Sequence, residues 1–186
     1  MKTSDGVKPT VSSNLTASAN QKATRRGGPF YFGGLIMKVA YGTTQDIDSW
    51  MDFVQRVSWN FPGLETTAAL DDHRKTVLRF MRENRALCVK EAEKVVGVLL
   101  LSKKHNMICC LAVAPEYRRK GVATLLLEKA LSELDRTRDI TVTTFRAGDE
   151  KGIAPRSLYK RFGFAEEKLM IENDYPVQRF VLRGGL

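Results

Sequence analysis

The sequence predicts a mixed-sheet domain of the α/β or α+β class, and three observations carry that prediction. "ALCVKEAEKVVGVLLLS" alternates around a turn near Glu93, the pattern of a β-hairpin. "HNMICCLAV" is an apolar run of strand length, as expected for a strand covered on both faces at the centre of a sheet. A long amphipathic stretch then leads into "DITVTTF", another strand. Neighbouring strands joined once by a tight turn and later by a helix make a mixed sheet. The 186 residues are ordinary single-domain length, enough to bury a proper core.

Taken in order, residues 1–24 are rich in Ser, Thr, Asn and Lys without hydrophobic period, and read as disordered. "RRGGPFYFGGLI" follows; its apolar part is broken by glycines and has no small-residue cleavage site, which argues against a signal peptide. Residues 1–36 are therefore expected to be a disordered or loosely packed extension, dispensable to a single domain over residues 37–186. "MKVAYGTTQDIDSW" opens that domain in the order strand, turn, capped helix. Residues 38–41 form the strand, and Thr44 caps a helix carrying Ile47, Trp50, Met51, Val54 and Val57 at helical spacing. "WNFPGLET" is a loop, and residues 67–82 are a second helix. After the hairpin and the central strand, residues 121–136 form a helix with Val122, Leu126, Ala130 and Leu134 on one face. "APRSLYKRFG" is a short helix ended by Gly163, and "FAEEKLMIE" and "VQRFVLR" are the closing strands.

Composition excludes several functions. Hydrophobic residues at 43% and charged residues at 27% describe a folded globular chain. No apolar run approaches the roughly 18 residues a membrane helix needs, so no membrane partner is expected. Cys88, Cys109 and Cys110 have neither metal-ligand spacing nor the look of a disulfide framework, which suits a reducing cytoplasm and predicts no metal. The net charge of +9 suggests nucleic acid, but five cations against one aspartate lie before Met37, and the remainder is well mixed. Without a basic stripe interleaved with aromatics, no nucleic-acid partner is expected.

One stretch breaks an electrostatic rule. In "LAVAPEYRRKGVATLLLEKALSEL", Arg118, Arg119 and Lys120 stand where the helix begins. A helix N-terminus already carries roughly +0.5 of a charge, so cations there are unfavourable. An anion bound at that end resolves the conflict, because the first-turn N–H groups are unpaired and the dipole favours negative charge. Gly121 lets the backbone approach a phosphate closely, and Ala123 keeps the next contact small. The pattern is neither a P-loop nor a dinucleotide-binding GxGxxG.

The stretch resembles the nucleotide-binding motif of the GCN5-related N-acetyltransferases (GNAT), (Arg/Gln)-x-x-Gly-x-(Gly/Ala). Arg118, Gly121 and Ala123 match it after a "V-x-P-E-Y-R" approach at Val113, Pro115, Glu116, Tyr117 and Arg118. The family's second landmark, a short helix ending L-Y-x-x-x-G-F, is matched by Leu158, Tyr159, Gly163 and Phe164. The resemblance covers essentially residues 37–186. It implies a GNAT-type α/β (α+β) fold: a mixed, mostly antiparallel sheet flanked by helices, with a central parallel strand pair. It further implies an N-acetyltransferase using acetyl-coenzyme A as cosubstrate and no metal. The acceptor would be a primary amine, on a small molecule or a peptide, attacking the thioester directly, and the protein a monomer or homodimer. A non-catalytic acyl-coenzyme A-binding domain on the same fold is the alternative.

On that resemblance the pyrophosphate falls to Arg118, Arg119, Lys120, Gly121, Val122, Ala123 and Thr124. Leu111, Ala112 and Val113 pair with the pantetheine arm like an added strand. The Val113 N–H stabilises the oxygen that becomes negative, and Tyr159 protonates the departing thiolate. Two departures stand out. Gly152 and Pro155 occupy positions where the family often has Asn and Ala. Met107, Ile108, Cys109 and Cys110 supply no strand carboxylate as base, which leaves Glu65, Asp149, Glu150 or a water chain, with His105 reading as a surface residue. The loop at residues 59–65 lies where the family builds its acceptor wall, and its aromatics suggest an acceptor with an apolar portion.

Overall fold

In the computed structural model, residues 30–32 and 35–185 are described. The disorder expected over residues 1–24 falls outside them. β1 (Phe30–Phe32) and β2 (Leu35–Met37) pair antiparallel as a small separate sheet, and Met37 is buried in the main core.

The main sheet has seven strands: β3 (Val39–Tyr41), β4 (Ala86–Glu91), β5 (Lys94–Ser102), β6 (Met107–Val113), β7 (Ile140–Phe145), β8 (Ala165–Glu172) and β9 (Tyr175–Leu182). Their order is β3-β4-β5-β6-β7-β9-β8, so the apolar β6 sits at the centre. Every neighbouring pair is antiparallel except β6 and β7. The crossover between those two is α3 (Val122–Glu133), which is what makes them parallel.

Strand alternation sorts the apolar residues into two cores, one on each face. Leu87, Val89, Leu99 and Ile108 face α3 and α4 (Ile153–Arg161). Ala86, Cys88, Val98, Leu100 and Ala112 face α1 (Ile47–Val57) and α2 (Thr67–Arg82). On α1, Trp50 and Phe53 are fully buried against that second face.

Local chemistry sets the helix starts. The Asp46 carboxylate accepts from the Thr43 N–H at 2.8 Å and the Thr43 hydroxyl at 2.9 Å. A 3-10 turn (Thr44–Asp46) therefore precedes α1, and the cap is Thr43, one residue before the expected Thr44. At α2 the Thr66 hydroxyl accepts from the Ala69 N–H at 3.1 Å, a regular N-cap. None of the described helices is long and apolar enough to cross a membrane.

Candidate active site

The central strand pair is incomplete, and the site begins there. β6 and β7 pair only at Met107 with Thr141 and at Ile108 with Val142. Beyond that the strands part. The register of β5 against β6 shifts between Leu100 and Leu101, leaving Cys109 as an extra residue on β6, a bulge that bends the strand where the pairing stops.

The bonded direction of each β6 residue follows from one hydrogen bond. Ala114 N–H donates to the Val96 carbonyl at 2.9 Å, and Val96 lies opposite Ala114 in the register. Bonded and non-bonded pairs alternate in an antiparallel ladder, so Ala112 and Cys110 also bond to β5. Leu111 and Val113 turn their N–H and C=O groups the other way, into the slot that β7 has left. Of the three residues expected to pair with the cofactor arm, two present their backbone to the slot; Ala112 presents its side chain to the α1–α2 face. The Val113 carbonyl accepts from Arg118 Nε at 3.4 Å.

The cationic turn stands at the end of the slot. Arg119 (φ 62°) and Gly121 (φ 79°) are both left-handed, which curls successive N–H groups toward one centre, an anion-binding nest. Leu125 makes the first helical bond, to Gly121 O at 3.0 Å, so the N–H groups of Val122, Ala123 and Thr124 have no intrahelical acceptor. No side chain caps them. The turn is held from both sides: Tyr117 donates its hydroxyl to Glu91 on β4, and Arg56 on α1 meets Glu116 at 3.2 Å. That bond to Glu91 pushes the Tyr117 phenol up to about 12.

Two contributors to this end of the site were not legible in the sequence. Arg161, on α4, donates to the Thr124 hydroxyl at 2.9 Å and adds a cation to the turn from a helix 37 residues away in sequence. Gly97 on β5 lets α3 approach the sheet, because a Cβ there would stand 2.6 Å from Val122 Cγ1 and 3.2 Å from Leu126 Cδ1. A lone glycine inside an apolar strand was the available signal.

Tyr159 is buried on the α3–α4 face, near enough to the Cys110 thiol of β6 for the two to interact. The L-Y-x-x-x-G-F pattern turns out to be a helix stop with both Schellman bonds: Phe164 N–H donates to Tyr159 O and Gly163 N–H to Lys160 O, each at 3.0 Å. Gly163 supplies the left-handed residue (φ 86°), and Tyr159 packs on Phe164 with ring centroids 5.6 Å apart. The motif therefore fixes the Tyr159 ring as well as ending the helix. Among the described residues its hydroxyl has no hydrogen-bond partner. Burial pushes the phenol well above its ordinary value of about 10, with a smaller contribution from the Cys110 thiol. Tyr159 is thus protonated throughout the neutral range.

Gly152, where the family often has Asn, has a physical reason. A Cβ at that position would stand 3.1 Å from Arg146 O, Arg156 Cδ and Phe145 Cβ, so Arg156 already fills the space. Arg156 is buried and donates to Phe145 O at 3.1 Å and Gln178 Oε1 at 2.7 Å, and pairs with Glu166 at 2.7 Å. It fastens the start of α4, and with it Tyr159, to β7, β8 and β9. Pro155 lies in the first turn of that helix, where its missing N–H costs nothing.

On the opposite face a cavity of about 30 Å³ abuts β6. Trp50, Phe53 and Val57 of α1 line it, with Phe61 and Leu64 of the α1–α2 loop and Cys110 and Ala112 of β6. His73 of α2 lines it too, and sequence reasoning passed over it. Burial holds its imidazole below the ordinary 6.5. Burial likewise pushes the Cys110 thiol up to about 12, so it is a neutral wall residue. In the loop, Phe61 and Leu64 face this cavity, whereas Trp59 is 58% exposed and lies 5.8 Å from the Arg118 guanidinium.

The acids weighed from sequence stand apart from this cavity. Asp149 accepts from Tyr175 at 2.6 Å and caps the 3-10 turn through Lys151 N–H at 2.9 Å. Glu65 folds back on the Gly63 N–H at 2.9 Å. Glu150 is exposed, and His105 is exposed in the turn before β6, at the far end of the strand from Val113. Among the described residues no group of three or more His, Cys, Asp or Glu could hold a metal.

Residues 82–166 match the acetyltransferase (GNAT) domain family. Compared with curated protein sequences, the chain matches none. Among solved structures it is similar to a GNAT-family acetyltransferase from Bacillus cereus, with 21% identity, TM-score 0.62, and 81% of this chain covering 99% of that one. It is similar to the PaiA N-acetyltransferase of Thermoplasma acidophilum in complex with coenzyme A, with 14% identity, TM-score 0.60, and coverage of 77% and 97%. It is also similar to the ribosomal-protein-S18-alanine N-acetyltransferase of Escherichia coli, with 16% identity, TM-score 0.59, and coverage of 81% and 95%. The likeness to the GNAT family read from the two motifs therefore holds at the level of the domain and of the fold. The mixed sheet with its one central parallel pair and flanking helices is a GNAT acetyltransferase fold.

Proposed function

We propose that this protein is an N-acetyltransferase that moves an acetyl group from acetyl-coenzyme A to a primary amine by direct attack on the thioester. The observation that carries the reading is the slot: the backbone of Leu111 and Val113, turned away from β5, leads to the uncapped, cation-lined start of α3. Those residues fit the donor's chemistry, an extended amide-bearing arm ending in a pyrophosphate. Leu111 and Val113 would bond the arm, and the N–H groups and side chains of Arg118 to Thr124 the pyrophosphate, with Ala112 behind them. The similar Thermoplasma structure was solved with coenzyme A, which supports the choice of donor.

The chemistry asks little more of the chain. Bound donor supplies an activated acetyl carbon. The Val113 N–H stabilises the carbonyl oxygen as it becomes negative, a contribution that one such donor typically makes at about 10²–10³-fold. Tyr159 carries the proton that the departing sulfur needs. Cys110, held as a neutral thiol, does not compete as a nucleophile. An amine on a small molecule or a peptide, with an apolar part to meet Phe61 and Leu64, suits the lining of that face, where the small cavity has room for little beyond the amine head itself. The three free cysteines suit a reducing, cytoplasmic setting.

The test is a thiol-release assay with acetyl-coenzyme A over a panel of aryl-alkyl amines, polyamines, amino acids and short peptides, run beside thermal shifts with coenzyme A. Amine-dependent thiol release supports the reading. A shift without release from any amine would establish the non-catalytic acyl-coenzyme A-binding alternative in its place.

A further inference from the structure

We propose that His73 is the general base of this reaction, taking the proton that the acceptor nitrogen releases as its bond to the acetyl carbon forms. The proposal rests on the acetyl-transfer reading above. It answers the question the sequence left open, because β6 carries no carboxylate and the acids weighed from sequence are engaged or exposed elsewhere.

The argument is one of place and chemistry. The imidazole shares a single small cavity with Cys110 and Ala112, the β6 residues on either side of Leu111, whose backbone faces the slot. Helices cover both faces of β6, α3 and α4 on one and α1 and α2 on the other, and the cavity on the α1–α2 face is where the proposal places the acceptor nitrogen. About 30 Å³ exceeds the roughly 10–15 Å³ that one ordered water occupies, so the cavity has room for one water between the imidazole and β6, the relay by which the proposed proton transfer would run. Among the described residues His73 has no hydrogen-bond partner, so no structural bond would be broken when it accepts a proton.

The groups that line the cavity with it carry no charge. α1 presents Trp50, Phe53 and Val57, the α1–α2 loop Phe61 and Leu64, β5 Val98, and β6 the neutral Cys110 thiol. The nearest charges on α2 turn outward, Arg74 to Asp48 at 2.6 Å and Asp72 to Lys75 at 2.8 Å. With its value held below 6.5 by burial, the imidazole is neutral, and therefore a competent base, at neutral pH. The step balances. The amine lone pair forms the N–C bond, and the C–S pair leaves on sulfur. Sulfur takes the Tyr159 proton and His73 takes one from nitrogen, which then returns to the phenolate through solvent.

The experiment is kcat against pH for the wild type and His73→Gln with the fastest amine of the panel. Coenzyme A thermal shifts serve as the control for fold and donor binding. The variant is expected to lose about 10²–10⁴-fold in kcat with an unchanged thermal shift. The wild-type acidic limb, falling below pH 6.5, should vanish in it. Near-wild-type kcat with the limb retained overturns the proposal and leaves the acetyl-transfer reading standing. Should His73→Gln fail to fold, the His73 imidazole can be titrated by NMR in the wild type, with His105→Gln assigning the second histidine. A titration that does not coincide with the acidic limb overturns the proposal equally. No thiol release by the wild type with any amine removes the acetyl-transfer reading, and this base with it.

Discussion

The phenol of Tyr159 and the backbone of Gly121 are the two places where single atoms bear the proposed chemistry. Tyr159→Phe keeps the contacts to Phe164 and Phe180 and removes only the proton donor. It should lower kcat by about 10²–10⁴-fold at unchanged coenzyme A affinity, read by steady-state kinetics beside a binding isotherm. Wild-type kcat would leave solvent as the donor. Gly121→Asp places a carboxylate against the anion nest, and Asp is among the residues that tolerate a left-handed φ. The variant should therefore fold, yet lose the coenzyme A-induced rise in Tm. Both residues are legible because their roles are written in contiguous motifs: a phosphate turn and a helix stop are local structures. His73 is not legible for the opposite reason. Nothing adjacent in sequence marks it, and only the packing of α2 over α1 and β6 brings it to the cavity.

The elements were largely legible because their signals are periodic. The α2 helix falls at residues 67–82 as expected, and β6 is central as its apolar run implies. Ends are less so: α3 stops at Glu133, three residues before the expected 136, because Asn106 holds the chain beyond it through Asp135 N–H at 2.9 Å and Asp135 O at 2.8 Å. How closely α3 may approach β5 rests on Gly97. Gly97→Ala should cost about 1–3 kcal/mol by overpacking against Val122, and should weaken coenzyme A binding because the N-terminal turn moves with the helix. Denaturant unfolding and isothermal titration would check the two parts. At its other end α3 is tied down by Glu133, which meets Lys129 at 2.6 Å and Lys103 at 3.0 Å. The bond from Lys129 leads the causes that hold this carboxyl at about 2, well below the ordinary 4.5. A depressed carboxyl stabilises the fold above its unfolded value and loses that contribution as pH falls from about 4.5 through about 2. Glu133→Gln should thus cost about 1–2 kcal/mol at pH 7, solvent screening included, and nothing below pH 2. A gap between the two unfolding curves that persists below pH 2 would reject the linkage.

At the scale of the whole molecule, the sheet divides the protein into two cores, one under α3 and α4 and one under α1 and α2, which the proposed function assigns to donor and acceptor. The strand order that creates this division was only partly legible. A mixed sheet follows from turn and crossover lengths, but the parting of β6 from β7 depends on the bulge at Cys109, which adjacent cysteines in an apolar run do not announce. Removing residues 1–36 should leave turnover near that of the full chain, since the slot, the turn and Tyr159 all lie beyond them; a large fall in kcat on truncation would bring β1 and β2 into the functional unit. The slot itself has a kinetic corollary. An opening through the middle of a sheet lets two reactants meet while each keeps to its own side, so neither must vacate for the other. Double-reciprocal plots of initial rate against amine, at several acetyl-coenzyme A concentrations, should then converge to a point and not run parallel, and free coenzyme A should compete with the thioester alone.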